Sequence, residues 1–195
     1  MKIFLSIIIG YLIGCFSSAY FVGKMSKGID IRLHGSGNAG ATNALRVMGL
    51  KLGALTFFMD AFKGIIAVIA GRLIMGYNGG LICGFFAVIG HNWPVFLQFK
   101  GGKGVATSIG VLASLHFISA LAAAPLAILL IFITRYVSLG SMIYLISVPI
   151  SYALVASEFN KQHFILALLL ALLSIYRHRS NIQRLLTGNE NRIGR

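Results

Sequence analysis

Residues 35–46, Gly35-Ser36-Gly37-Asn38-Ala39-Gly40-Ala41-Thr42-Asn43-Ala44-Leu45-Arg46, gather three glycines, two hydroxyls, two amides and an arginine, with no acid among them. Glycine lets backbone approach a ligand closely, and a helix that starts behind such a turn offers N–H donors to an anion. Ser36, Asn38, Thr42 and Asn43 add neutral donors, and Arg46 adds a planar charged fork. That combination grips a phosphate. Gly35, Gly37 and Gly40 also spell Gly-x-Gly-x-x-Gly, and Asp60 follows twenty residues after Gly40. The dinucleotide fingerprint has meaning only between a strand and a helix, however, and here Asp60 falls inside an apolar run. An ordinary capped turn would need fewer donors than this stretch carries.

A second glycine-rich stretch, Phe99-Lys100-Gly101-Gly102-Lys103-Gly104-Val105-Ala106-Thr107-Ser108, sits at another helix start. Helix-terminal N–H groups with the Lys100 and Lys103 ammonium groups again suit phosphate. It is no Walker loop, because the Gly-x4-Gly-Lys-Ser/Thr spacing is absent. The bland reading is two lysines snorkelling to anionic headgroups; a partner loop on the same face favours binding. His91 and Asn92 precede Trp93-Pro94 at a predicted membrane edge. A histidine beside a belt tryptophan is commonly structural, but its nearness to the glycine loop suits a proton carrier or oxyanion donor. Asp60 and Lys63 share a helix face inside an apolar run. Such a pair is either a site or a mutually neutralised strut.

The tail around Arg177–Glu190 is basic and amphipathic, as a helix on anionic lipid would be; alternatively Asn181, Arg184 and Glu190 close over a polar ligand. His34 shares the first loop, whereas His116 and His163 read as structural. The only acids are Asp30, Asp60, Glu158 and Glu190. They form no carboxylate cluster for Mg²⁺, no set with zinc spacing occurs, and no serine lies in a nucleophile elbow. No metal or other cofactor is expected, and an enzyme built this way works by gathering and positioning phosphates.

The elements that must hold these residues are membrane helices. Hydrophobic residues make up 57% of the 195 residues and charged ones 11%, against about a quarter charged in a soluble domain. The expectation is an all-α, polytopic membrane protein forming one domain over residues 1–195, with seven spans near 3–22, 53–71, 81–97, 105–116, 120–133, 139–155 and 164–176. Ser17-Ser18-Ala19 gives the first span a signal-peptide look, but the spans that follow argue for a bundle helix. Several spans are short of the ~20 residues that cross a bilayer untilted, so thinning or broken helices are expected. Pro125 should break the fifth span and Pro149 kink the sixth. Cys15 and Cys83, both in apolar runs, read as packed thiols.

The formal net charge of +13 raises nucleic acid as a partner, but the basic residues sit between apolar runs, where membrane topology explains them. Lys24, Lys27, Arg32, Arg46, Lys51, Lys100, Lys103, Arg135, Arg177, Arg179, Arg184, Arg192 and Arg195 fall on one side, and Lys2, Arg72 and Lys161 on the other. The positive-inside rule then places the N-terminus outside, and the C-terminus and glycine loops in the cytoplasm.

Taken together, residues 35–46, Gly90-His91-Asn92-Trp93-Pro94-Val95-Phe96 with 100–107, and 180–192, joined by Asp60-x-x-Lys63-Gly64, resemble the bacterial acyl-phosphate:glycerol-3-phosphate acyltransferase family. The likeness spans essentially the whole chain. It implies transfer of a fatty acyl group from acyl phosphate to the 1-hydroxyl of glycerol 3-phosphate, releasing lysophosphatidic acid and phosphate early in phospholipid synthesis. For such a reaction Ser36, Arg46, His91 and Lys103 are expected to be catalytic: Ser36, Arg46, Lys103 and the glycine-loop amides would hold the acyl phosphate and stabilise its leaving charge, and His91 or the donor's own phosphate would take the hydroxyl proton. Asn38, Thr42, Asn43, His91 and Asn181 would orient glycerol phosphate, Arg184 and Glu190 would complete the wall, and Gly37, Gly40, Asn92, Lys100, Gly101, Gly102, Gly104 and Thr107 are further substrate-binding residues. The His-x4-Asp pair of other glycerolipid acyltransferases is absent, since Phe96 follows His91 and Ala39 follows His34 at that spacing. Competing classes are a phosphate or organophosphate transporter and a non-catalytic lipid-binding protein. Polar motifs on one face and the lack of an inverted repeat weigh against the transporter.

Overall fold

The computed structural model describes residues 1–194; Arg195, counted above among the inward charges, lies outside them. The described residues form helices α1 (Lys2–Cys15), α2 (Ser18–Lys27), α3 (Ala41–Met48), α4 (Leu50–Asn92), α5 (Val105–Leu115), α6 (Phe117–Thr134), α7 (Val137–Val155), α8 (Lys161–Arg177) and α9 (Arg179–Leu186). Short 3₁₀ turns lie at Ile31–Leu33 and Val95–Leu97. Four stretches among the described residues are long and apolar enough to cross a membrane: Lys2–Lys27, Leu50–Leu97, Phe117–Thr134 and Val137–Val155. Phe4, Phe58, Leu73, Phe132 and Leu154 are exposed on them, as helices solvated by lipid require. The chain divides into two compact units, Met1–Leu115 and His116–Arg195.

In the first unit α4 is a hairpin. Its helical geometry fails only at Met75 and Gly76, and the Gly71 backbone lies directly against that of Gly79. Residues 50–74 and 77–92 therefore run back alongside each other, and the turn expected over 72–80 shrinks to two residues. Ile9 and Ile13 of α1 pack on Ala67, Cys83 and Ala87; Cys15 and Cys83 are buried thiols. The first expected span is two helices. The backbone is extended at Phe16 (φ −64°, ψ 112°) and Ser17 (φ −95°, ψ 96°), between α1 and α2. The third expected span stops at Asn92 instead of Leu97.

Helix α5 begins deep in this unit. The Leu45 backbone of α3 lies against Gly53, whereas the Thr107 carbonyl of α5 lies against Gly64 of the same arm. At the helical rise these contacts are about 16 Å apart. The irregular chain between Trp93 and Gly104 thus dips toward the middle of the helices. At membrane depth, non-helical backbone is tolerated only where protein buries it or it lines a cavity.

In the second unit α6 runs unbroken through Pro125 and α7 through Pro149, correcting the break expected at the former. The Tyr144 and Ser151 hydroxyls of α7 donate to the Ala120 and Ser119 carbonyls of α6 at 3.2 and 2.8 Å. His116 caps α6 by accepting from the Ser119 N–H. Its ring meets those of Tyr152 and His163, the structural use expected of both histidines.

Candidate active site

The first glycine stretch folds around the side chain of Asn43. Its Oδ1 accepts from the Ser36 N–H at 2.9 Å, and its Nδ2 donates to the Ile31 and His34 carbonyls at 3.1 and 3.0 Å. Asn43 is 2% exposed, and its amide braces the loop. Gly35 (φ +61°) passes over it so closely that a Cβ would strike that amide and Val47. Ser36, Gly37 and Arg46 are exposed, and Asn38, Gly40 and Thr42 are half-buried. No side chain caps α3 at Gly40, so the helix start is left to a ligand or solvent.

Arg32 ties this loop to the second one. It grips Asp30 through two nitrogens, at 2.7 and 3.0 Å, and donates to the Leu97 carbonyl at 3.1 Å. The Arg32 hydrogen bond holds the Asp30 carboxyl below its ordinary value against the opposing effect of burial. Sequence reasoning left Arg32 as one more topogenic charge, although its spacing from Asp30 was the available signal.

The second loop is laid over the end of α4. The Gly102 N–H donates to the His91 carbonyl at 3.1 Å. Gly102 rests on the imidazole itself, where a Cβ would fall on Nε2, and Gly101 rests on the His91 carbonyl. Gln98 and Phe99 both occupy the left-handed region, at φ 55° and 60°, a conformation that non-glycine residues hold at a cost of roughly 1–3 kcal/mol each. Gly101, Gly102 and Gly104 are buried, Lys103 is half-buried and Lys100 is exposed. Beside Gly104, both polar atoms of the Asn92 amide are buried without a hydrogen bond, as is the Thr107 hydroxyl; both residues are fully buried. Buried polar groups left unpaired cost about 1–3 kcal/mol each, and folded proteins keep few of them.

Asp60 and Lys63 meet at 2.8 Å as their spacing predicts. The Lys63 ammonium also reaches the Phe16 carbonyl at 2.6 Å and His91 Nδ1 at 2.8 Å. Asp60 Oδ1 accepts from the Ser18 hydroxyl at 2.8 Å. The three ionisable groups are between 1% and 6% exposed. Nothing in the sequence marked Ser18 as a partner of Asp60.

Within the second unit, Glu190 draws the tail together. It accepts from Asn181 Nδ2 at 2.7 Å, the Ser138 hydroxyl at 3.0 Å and Arg184 Nε at 2.9 Å. Burial pushes its carboxyl up, but these three donors and the Arg184 charge outweigh that and hold it below the ordinary glutamate value. Glu190 is thus a brace for Asn181 and Arg184. Ser138, from α7, was not legible as its partner.

The chain has close relatives. A family model described as glycerol-3-phosphate acyltransferase matches residues 4–188. The glycerol-3-phosphate acyltransferase of Thermoanaerobacter sp. (strain X514) is 49% identical over 192 residues, 97% of this chain and 95% of that protein. That of Clostridioides difficile (strain 630) is 45% identical over 203 residues, 100% and 98% of the two chains. The fold is similar to two crystal structures of PlsY (YgiH), an integral membrane glycerol 3-phosphate acyltransferase. Its glycerol 3-phosphate form superposes with a TM-score of 0.91 at 38% identity, and its lysophosphatidic acid form with 0.90 at 37%; each match covers 100% of this chain and 96% of the other. This helical membrane protein, matched along nearly its whole length by the family model and by these relatives, belongs to the glycerol-3-phosphate acyltransferase family.

Proposed function

We propose that this protein transfers a fatty acyl group from acyl phosphate to the 1-hydroxyl of glycerol 3-phosphate, yielding lysophosphatidic acid and phosphate for phospholipid synthesis. The hydroxyl oxygen bonds to the acyl carbon as the bond from that carbon to the phosphate oxygen breaks. The proton released has two acceptors in this reading, His91 or an oxygen of the departing phosphate. The observation that carries the proposal is the unpaired Asn92 amide and Thr107 hydroxyl, buried where the lysine–glycine loop meets the start of α5. Neutral donors and a helix N-terminus beside Lys100 and Lys103 suit a phosphate. The glycerol 3-phosphate and lysophosphatidic acid forms of the similar PlsY support the acceptor and the product.

In this scheme Ser36, Arg46, Lys103, Thr107 and the amides of Gly37, Gly40, Gly101, Gly102 and Gly104 hold the donor. Asn38, Thr42, His91 and Asn92 orient the acceptor. Donors aimed at developing charge supply a few kcal/mol each, and holding both anions supplies orientation. Within the second unit, Glu190 fixes the polar groups of Asn181 and Arg184. We place the protein in the bacterial inner membrane with its N-terminus outside and both loops cytoplasmic. It crosses seven times: α1 with α2, each arm of α4, α5, α6, α7 and α8.

Phosphate release from acyl phosphate, dependent on added glycerol 3-phosphate, tests the reaction; absence of release overturns it. Arg46→Lys should lose most of this turnover, because a point charge does not replace a bidentate fork. The broken first helix is also a transporter feature, and phosphate uptake by loaded vesicles without acyl transfer would favour that reading.

A further inference from the structure

Lys63 lies far from either glycine loop in sequence, yet it meets the one imidazole that the second loop covers. A strut would need only Asp60 and Lys63. Here the ammonium has three acceptors: the Phe16 carbonyl at 2.6 Å, Asp60 Oδ1 at 2.8 Å and His91 Nδ1 at 2.8 Å. An ammonium carries three donors and no acceptor. His91 Nδ1 must therefore accept, and its lone pair faces Lys63. Asp60 Oδ1, the other charged atom near Nδ1, is 3.5 Å away, a longer contact than that from Lys63. An imidazolium would turn an N–H toward the ammonium, setting like charges and two donors against each other. What remains is a neutral ring with its proton on Nε2, the atom over which Gly102 is laid.

The rest of the assembly keeps Lys63 there. The break between α1 and α2 releases the Phe16 carbonyl at the negative end of α1, where a cation is favoured. Ser18 opens α2 and donates to the Asp60 oxygen that also accepts from Lys63. One end of the broken helix thus binds the ammonium and the other binds its counter-ion. Partners of this kind commonly fix the tautomer of a working histidine.

We propose that Lys63, held by Asp60 and the Phe16 carbonyl, is a positioning residue that fixes His91 as the Nε2–H tautomer, making it a hydrogen-bond donor beneath the glycine loop and not the acceptor of the substrate proton. The inference rests on the acyltransfer reading for its consequence, but its geometry stands apart from it.

The test is nitrogen-15 NMR of the full-length, histidine-labelled protein in lipid nanodiscs at neutral pH. The His91 signals are assigned by their loss in His91→Gln. The expected spectrum shows a protonated Nε2 and a bare, hydrogen-bonded Nδ1. A ring protonated at Nδ1, alone or together with Nε2, overturns the proposal. Lys63→Arg, also donor-only, should keep the tautomer, whereas Lys63→Met should release it and lower kcat about 10–100-fold with a much smaller change in KM for glycerol 3-phosphate. In turnover, His91→Gln, whose amide nitrogen stands near Nε2, should outperform His91→Asn, whose nitrogen stands near Nδ1; the reverse order overturns the proposal. The tautomer is read without substrate, so a protein that fails to transfer acyl groups sinks the functional reading and leaves this one to its spectrum.

Discussion

Two places in the molecule treat a helix interruption in opposite ways. Helix α6 carries Pro125 and α7 carries Pro149, and neither breaks. The first membrane segment carries no proline and no glycine at Phe16-Ser17, yet it stops and restarts there. In water, proline is the breaker, since it lacks an N–H and crowds the preceding turn. In lipid, the deciding question is where the freed polar groups go. Near Pro125, hydroxyls of α7 reach the Ser119 and Ala120 carbonyls and tie the first turn of α6 to its neighbour, and the helix continues. At Phe16 an ammonium waits for the carbonyl, and at Ser18 a carboxylate waits for the hydroxyl, so the helix is allowed to end. A break in a membrane helix is thus specified by residues remote in sequence.

The largest expected effect comes from removing that specification. Asp60→Ala strands the Lys63 charge in a buried site, a loss of about 3–5 kcal/mol where one partner of a buried pair is deleted. It should appear as a large drop in thermal stability in detergent, and an unchanged melting profile would mean that something else holds the break. Next is Gly102→Ala, whose methyl group would displace the His91 ring. A misplacement of this size costs about a hundredfold in turnover, with folding retained, and wild-type kinetics would separate the ring from the site. A smaller effect belongs to Glu190. Because its folded value is lowered, its stabilisation of the tail is complete above the ordinary glutamate value and lost as pH falls through the lowered one. Proteolytic nicking of the tail should rise across that acidic window in the wild type, and Glu190→Gln should abolish the pH dependence. The smallest is Pro125→Ala, expected to change stability by about 1 kcal/mol or less, since the helix is already continuous there. A strong effect in either direction would show that the proline shapes α6 after all.

Much of this arrangement was legible in the sequence where local rules apply. Apolar runs gave α5 from Val105, α7 and α8, and the i,i+3 spacing gave the Asp60–Lys63 pair. Short spans gave broken helices without saying where, because the partners of Phe16 and Ser18 lie 40 or more residues away. Donor counting singled out the first loop, but counting cannot tell which amide the loop backbone itself uses, and the bonds of Asn43 to Ser36, Ile31 and His34 were not legible. Likewise the bond that Ser138 gives Glu190 was hidden, because Ser138 stands 52 residues earlier. The depth of the second loop was hidden too. Trp93-Pro94 suggests a membrane edge, and only the packing of Thr107 on Gly64 shows how far the chain turns inward.

Three of the four acidic side chains are each matched to a cation close by in sequence: Asp30 to Arg32, Asp60 to Lys63 and Glu190 to Arg184. Glu158 alone is left against the fourteen remaining lysines and arginines, which leaves the net excess of thirteen positive charges. Nearly all of that surplus must be neutralised from outside the protein, by anionic headgroups along the bilayer and by doubly charged metabolites arriving from solution. Capture of a soluble phosphate ester should accordingly slow as ionic strength rises, while a lipid-borne one, already delivered to the surface, should feel salt far less.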